Sequence, residues 1–499
     1  MIATTHSAAL VGLRAVPVAV DVDAGSGRSQ FVIVGLPDAA VRESRDRVLS
    51  AVRNSGYHFP LHRTVVSLSP ADLKKQGPAY DLPMALAILG ATGQIPAPAL
   101  AEVLVVGELS LEGATRSVTG CLPLAAAARP GRFRALVVPR ANAAEAAVGS
   151  PVPVYAVASL GEAAAFLAGT ASLEPAAPPA DSCAAPAAAP DLVDVRGQER
   201  GKRALMIAAA GGHHLLMTGP PGTGKTMLAR RIVGLLPPFT RREAYEATSV
   251  HSVAGLEPGG LLAARPFRAP HHTVSAAGLL GGGVQATPGE VSLAHAGVLF
   301  LDELPEFDRR TLNGLRQPLE AGQVVIRRVG YHVRFPARFL LIAAMNPCPC
   351  GRHGDGTNAC LCTPGQVARY RDRVSGPLLD RIDLRVPVPR VEYDELARPD
   401  RAGSATESIR ERVLAARDRQ RARFGPEGPA ANGVIPARRL AEDCALDEAG
   451  ERLLKNAVDR WNLSARAHAR IRRVAPTIAD LRDAERIGEA DVAEALGFR

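Results

Sequence analysis

The eight residues Gly219, Pro220, Pro221, Gly222, Thr223, Gly224, Lys225 and Thr226 fit the pattern G-x-x-x-x-G-K-[ST] at every fixed position. The glycines let successive backbone N–H groups turn onto a polyphosphate, Lys225 offers a point charge to the outer phosphates, and the Thr226 hydroxyl is placed to ligate Mg²⁺. Some seventy residues on, the apolar run Val298-Leu299-Phe300-Leu301 ends in Asp302 and Glu303. A buried strand that releases two acids at its tip predicts Asp302 as a partner of Mg²⁺, direct or through water, and Glu303 as the base that polarises a water for attack on the γ-phosphate. A third apolar run, 339–345, ends in Asn346, whose amide can bond a phosphate oxygen and a water together.

Three other constellations could carry chemistry. Cys348, Cys350, Cys360 and Cys362 are four thiols in a short span, a set able to close a tetrahedral Zn²⁺ site, although C-x-C is tighter than the usual ligand spacing and free thiols or a redox pair remain open. The stretch 323–335 reads as two short strands about a Val-Gly turn. It carries Arg327, Arg328 and Arg334, with Tyr331 and Phe335 interleaved, a composition suited to phosphates and stacked bases and equally to a solvated hairpin. His271 and His272 are adjacent and would point to opposite faces of a strand, so they read as part of a substrate-facing loop rather than as joint ligands of one ion.

The elements that must hold these groups follow from periodicity. Leu215-Leu216-Met217 before the glycine loop reads as a buried strand and Met227–Val233 after it as a helix, so the motif sits in strand–loop–helix context. Residues 1–170 predict a first α/β domain, with strands at 31–34, 64–68, 103–106 and 135–138 and helices near 39–54, 82–91, 122–128 and 141–148. A Pro- and Ala-rich linker spans 171–190, the nucleotide-binding core spans 191–392, and helical periodicity fills 393–499. Arg410, Arg412, Arg417, Arg419, Arg421 and Arg423 crowd one helix there, a density that reads first as a solvated face. With 59 Lys+Arg against 50 Asp+Glu the chain can take a polyanionic partner. No window is apolar enough to span a membrane, the first twenty residues lack a basic leader, and the clustered cysteines suit a reducing compartment, so the expected location is cytoplasmic.

Two segments of the first domain, 74–83 and 107–113, resemble the proteolytic domain of Lon-type proteases, a ribosomal-S5-like fold. Ala79 stands where that resemblance places a nucleophilic serine and Pro123 where it places a lysine, so the scaffold lacks the hydroxyl and base that peptidase chemistry needs. Gly77, Pro78 and Asp81 are expected to be structural. Together with the glycine loop, the Leu-Phe-Leu-Asp-Glu run, Asn-Pro-Cys-Pro-Cys-Gly at 346–351, Leu-Leu-Asp-Arg-Ile-Asp at 378–383 and the Ser-Ala-Arg run at 464–466, the chain resembles magnesium chelatase-like AAA+ ATPases of the ComM/YifB competence protein family. The resemblance implies a P-loop AAA+ core with a helical lid, ATP as the nucleotide, and a ring, a hexamer, that moves DNA in branch migration during recombination and natural transformation. It implies that Arg381 is an arginine finger reaching a neighbour's nucleotide and that Arg466 is the lid-domain sensor. Read without it, Arg381 between Asp380 and Asp383 is as well explained by a local salt bridge. The resemblance also makes 266–283 a helix-2 insert lining the ring's pore and 323–335 a pre-sensor hairpin. The alternative function is an ATPase that remodels a protein or a metal-insertion complex, as in magnesium chelatase.

Overall fold

The computed structural model describes residues 2–25, 30–179, 190–256, 259–283, 286–328, 331–354, 360–393, 406–425 and 428–499. Its contacts divide the chain into two compact units, one of residues 1–184, 244–263 and 327–335, the other of 185–243, 264–326 and 336–499.

The first unit is built on a seven-stranded mixed sheet of β1 (Ile2–Val11), β2 (Arg14–Ala24), β3 (Phe31–Val34), β4 (Thr64–Ser69), β5 (Val103–Val105), β6 (Ala135–Pro139) and β7 (Val154–Val157), in the order β3-β4-β2-β1-β5-β6-β7. The two longest strands, β1 and β2, were not expected from the sequence. They pair antiparallel from Ile2↔Asp23 to Val11↔Arg14 around Gly12, whose φ of 66° supplies the left-handed turn. Helix α1 (Ala39–Asn54) is capped by Asp38, and α2 (Asp81–Ala91) is buried along its whole length. Asp81 does for this unit what was expected of it. It accepts from Arg47 at 2.7 and 3.1 Å and from the Leu109 N–H at 3.3 Å, while the Leu82 N–H reaches Gly107 O at 3.0 Å and the Gly107 N–H reaches Ala79 O at 2.9 Å. Segments 74–83 and 107–113 are thereby one locked substructure, and position 79 offers it only a methyl group. Of the expected linker, 180–189 lie outside the described residues. Ala176 donates to Val154 O and so prolongs the edge of the sheet.

The second unit carries a five-stranded parallel sheet. Its strands are β8 (Leu215–Thr218), β9 (Phe267–Arg268), β10 (Val298–Leu301), β13 (Leu340–Met345) and β14 (Leu384–Pro387), with the order β9-β10-β13-β8-β14; β11 (Gln323–Arg328) and β12 (Tyr331–Pro336) form a separate hairpin, of which 327–335 belong to the first unit. The central strands β10 and β13, buried at every position, are apolar throughout rather than alternating. Helices α3 (Glu199–Gly211) and α4 (Lys225–Leu235) cover the sheet, and α5 (Thr406–Phe424), α6 (Glu448–Trp461), α7 (Ala465–Leu481) and α8 (Glu489–Leu496) extend the same core, with Ile409, Val413, Leu454, Ile471 and Val492 packed in one cluster with Leu215, Leu228 and Ile342.

The arginines of α5 form the expected solvated face only in part: Arg412, Arg421 and Arg423 are exposed, yet several of the six are bonded to neighbouring elements. Arg417 donates to Ala209 O and Ala430 O, Arg419 to Asp480 O, and Arg423 pairs with Asp480, which also accepts from Asn432 at 2.8 Å. Burial lowers the Arg417 guanidinium to about 10. Helix α5 is thus fastened to α3 and α7 by charge-assisted bonds to backbone carbonyls.

Among the described residues no helix is long and apolar enough to cross a membrane.

Candidate functional site

Parallel strands deliver their tips to one edge, and in this sheet that edge gathers the predicted chemistry. The glycine loop leaves β8 after Thr218. Its first glycine is required by a close approach, since a Cβ on Gly219 would lie 2.0 Å from Val388 O, and Gly222 and Gly224 hold φ of 76° and 88°. Lys225 opens α4 with its side chain turned back into the loop, donating to Gly219 O and Pro220 O, both at 2.7 Å, and to Asn346 Oδ1 at 3.3 Å. Burial lowers its pKa, while the carboxylates of Asp302 and Glu303 pull the other way.

The Thr226 hydroxyl donates to Asp302 Oδ2 at 2.6 Å, a hydroxyl and a carboxylate side by side as hard oxygen ligands for Mg²⁺. The β8–β13 register sets Thr218 beside Met345, and the Gly219 N–H donates to Met345 O at 3.2 Å, which is why Asn346 meets Lys225. Of the predicted set, Lys225 thus meets Asn346 and Thr226 meets Asp302, two contacts on one sheet edge. Glu303 follows directly, held at φ 52° by the turn Leu304–Glu306, with Oε2 3.3 Å from His272 Nδ1.

Arg381 and Arg466 are not brought to this edge. Asp383 N and Leu384 N donate to His214 O, just before β8 begins, so the segment 376–383 lies at the opposite end of the strands, roughly 13 Å along from the glycine loop at about 3.3 Å per residue. Arg381 pairs there with Glu320 and not with Asp380 or Asp383, and Arg466 Nη1 is 3.4 Å from Asp380.

The four cysteines converge. Their sulfurs lie within 4.8 Å of one another, with Cys348 to Cys350 at 3.3 Å, Cys348 to Cys360 at 3.8 Å and Cys350 to Cys360 at 3.7 Å. A tetrahedron with Zn–S near 2.3 Å has edges of about 3.8 Å, so the set fits zinc despite its tight spacing. The Arg352 backbone N–H and the Cys348 thiol lower Cys350 to about 6. The loop also bears on the nucleotide site, since a Cβ on Gly351 would sit 2.6 Å from Pro221 Cδ. Residues 355–359 within it lie outside the described residues.

Arg327, His332 and Arg334 of the 323–335 hairpin are exposed, while Val333 and Phe335 are buried. Phe335 is therefore withdrawn from base stacking, because it falls on the inward face of a strand that alternates. The side chains of Arg328 and Tyr331 and the turn at 329–330 lie outside the described residues. Within the first unit the hairpin has a partner, the β1–β2 turn, where a Cβ on Gly12 would stand 2.9 Å from Val333 Cγ1 and 3.0 Å from Arg334 O.

Two residues at the site had no assigned part in the sequence reading. Gln198 Nε2 donates to Thr223 O at 3.3 Å and to Pro389 O at 2.6 Å, tying the loop to the chain that leaves β14. His272 had been read only as part of a substrate-facing loop, and no motif spacing links it to Glu303.

Comparison with known proteins gives one family across the whole chain. Residues 191–396 match the family "Magnesium chelatase, subunit ChlI", residues 20–142 match "Subunit ChlI of Mg-chelatase", and residues 403–499 match its C-terminal region. The chain is 43% identical over 500 residues to the YifB protein of Salmonella typhimurium, covering 100% of this chain and 97% of that one. It is 43% identical over 502 residues to the competence protein ComM of Haemophilus influenzae, again covering 100% and 97%. The 38 kDa magnesium-chelatase subunit of Cereibacter sphaeroides is 28% identical over 169 residues, covering 30% of this chain and 51% of that one.

Proposed function

The chain belongs to the magnesium chelatase-like ComM/YifB family, and from that premise we propose that it is an ATP-hydrolysing AAA+ motor that assembles as a ring, a hexamer, and moves DNA strands in the cytoplasm, in branch migration during recombination and natural transformation. The contact set Lys225, Thr226, Asp302 and Asn346 on one sheet edge carries the hydrolytic part of this reading. Full-length likeness to a protein named for competence favours DNA over the chelatase-like alternative, since relatives named for magnesium chelatase align with about a third of the chain.

The division of labour follows from the atoms. On nucleotide binding, Lys225 exchanges its bonds to Gly219 O and Pro220 O for phosphate oxygens, a swap of neutral acceptors for charged ones that stabilises the bound state. Thr226 and Asp302 are the residues that would hold Mg²⁺, which neutralises charge on the phosphates and supplies no proton chemistry. Glu303 accepts the proton of the attacking water, and Asn346, already against Lys225, senses the γ-phosphate. Arg381, on the opposite end of the strands from its own loop, serves as the arginine finger for a neighbouring subunit's nucleotide, and Arg466, beside Asp380, is the lid-domain sensor. Cys348, Cys350, Cys360 and Cys362 hold a structural Zn²⁺ that braces the loop against Pro221. The first domain is a Lon-like scaffold without the dyad, residues 393–499 act as the lid, and Arg327, Arg328, Tyr331 and Arg334 meet DNA.

ATP hydrolysis measured alone, with single-stranded DNA and with forked DNA tests the proposal, with Glu303→Gln expected to abolish turnover while retaining ATP binding. Hydrolysis that DNA does not stimulate, with no DNA binding at low salt, overturns the DNA assignment; a fully active Glu303→Gln overturns the hydrolytic one.

A further inference from the structure

Residues of β14, α7 and α8 line a cavity of about 300 Å³. Ile471, Val474 and Ala495 give it apolar walls, and Arg385, Arg470 and Arg499 bring three guanidinium groups to it. Two of these heads are neighbours. Arg385 Nη2 and Arg470 Nη1 both donate to Leu379 O, at 2.8 and 3.5 Å, and Arg470 Nη1 also reaches Ile382 O at 2.8 Å. The backbone N–H of Arg385 donates to Phe498 O at 2.7 Å, which fixes the root of its side chain. The Arg499 guanidinium lies 3.8 Å from the ring centroid of Trp461, the one tryptophan of the chain.

The fold supplies this positive charge with little to balance it. Among the described residues no carboxylate forms an ion pair with Arg385, Arg470 or Arg499. Asp383, which lines the cavity, is engaged by His213 at 3.3 Å, and Asp380, which acts on Arg385, is engaged by Arg466 at 3.4 Å. Arg385 Nε is buried without an acceptor. Burial, and after it the charge of Arg470, lower the Arg385 pKa against the opposing pull of Asp380. A carbonyl takes one N–H from a guanidinium fork and leaves its charge in place. Like charges withdrawn from water are costly until an opposite charge joins them, and apolar walls strengthen that attraction.

We propose that this cavity binds a phosphate-type oxyanion between Arg385, Arg470 and Arg499. The planar fork of each guanidinium matches phosphate oxygens, and three of them on one cavity suit a multiply charged group better than a single carboxylate. Orthophosphate, pyrophosphate and the phosphate end of a nucleotide share that chemistry. The site is separate from the glycine loop, because Arg385 pairs with Leu216 near the start of β8 whereas the loop leaves the end of that strand.

The test uses the full chain carrying Lys225→Ala, so that the glycine loop contributes no phosphate binding. Trp461 fluorescence and Tm are read against orthophosphate, pyrophosphate and ADP, with chloride at matched ionic strength. Pyrophosphate is expected to change the emission saturably and to raise Tm by a few degrees, and chloride to do neither. ADP binding tighter than pyrophosphate identifies a nucleotide as the source and weaker binding a free inorganic anion; either result upholds the site. Arg385→Met and, separately, Arg499→Gln are expected to weaken pyrophosphate binding about tenfold or more, the worth of one charge-assisted bond. Arg499 is exposed, so its replacement reads binding without disturbing the fold. Arg466→Ala, outside the cavity, is expected to keep the response. No saturable response to any of the three anions, a response unchanged in both arginine variants, or its loss in Arg466→Ala overturns the site.

Discussion

Arg381 offers the sharpest test of a shared active site. Its guanidinium pairs with Glu320 and donates to Pro377 O, and its side chain is 16% exposed while that of Glu320 is 61% exposed. A pair with one partner so exposed is screened by water, so Arg381→Ala is expected to cost about 0–1 kcal/mol of stability and leave the fold and ATP binding intact. If the same arginine stabilises the transition state of a neighbour, its loss removes about 10³-fold or more of turnover, because finger and structural roles differ in scale by several kcal/mol. Mixing gives the decisive number. Lys225→Ala subunits lack a working loop and keep the finger; Arg381→Ala subunits keep the loop and lack the finger. In a random equal mixture each interface draws its two sides independently, so roughly one quarter of interfaces join a good loop to a good finger, whatever the ring size. Steady-state phosphate release from the mixture is then expected at about a quarter of the wild-type rate, although each variant alone is silent. A mixture as silent as its components, with subunit exchange demonstrated by a tagged subunit, refutes action across the interface. An active Arg381→Ala refutes the finger itself.

Three further outcomes are expected. Protein purified under reducing conditions should carry one zinc per chain by elemental analysis, and Cys348→Ser should lose it and melt several degrees lower, since the metal's binding energy enters folding directly; metal-free wild type with an unchanged Tm excludes the site. Asp81→Ala should destabilise the first unit by about 3–5 kcal/mol in a urea melt, because Arg47 and the Leu109 N–H both lose a fully buried acceptor, and a change below about 1 kcal/mol would show the locked substructure to be incidental. Replacing the exposed Arg327 and Arg334 by alanine should reduce the slope of log affinity against log salt for single-stranded DNA by about 1.4, and an unaltered slope removes the hairpin from the DNA contact.

The parts of the site carried by fixed spacings were legible in the sequence. The glycine loop, the two acids after Leu301 and the asparagine after Met345 each end an apolar run, and a parallel sheet sends all such ends to one edge, so their meeting required no knowledge of the strand order. Helices with clear boundaries were legible for the same local reason: α6 and α8 are bounded by Asp447 and Asn462 and by Gly488 and Gly497, residues that cap or stop a helix. Long-range contacts were not legible. Six arginines on α5 look solvated in one dimension, and the packing of α5 against α3 and α7 supplies acceptors for Arg412, Arg417, Arg419 and Arg423, while Arg421 stays exposed beside Asp418. Strand β1 gives a weak signal because alanine, serine and histidine fill its middle, and it joins a sheet only when β2 and β5 flank it, although Val16, Val18, Val20 and Val22 alternate along β2.

His272 shows the same limit at the site itself. Two adjacent histidines invite a search for a metal, and their spacing excludes a shared ion without saying what either one touches. The answer lies in the register of two short strands, one of them two residues long, whose pairing fixes a contact four residues past its end. A motif names groups that act on a ligand common to all of them, whereas a register brings together groups that act on each other. The Glu303–His272 contact is of the second kind, since it exists only once the sheet has formed and no spacing in the chain announces it.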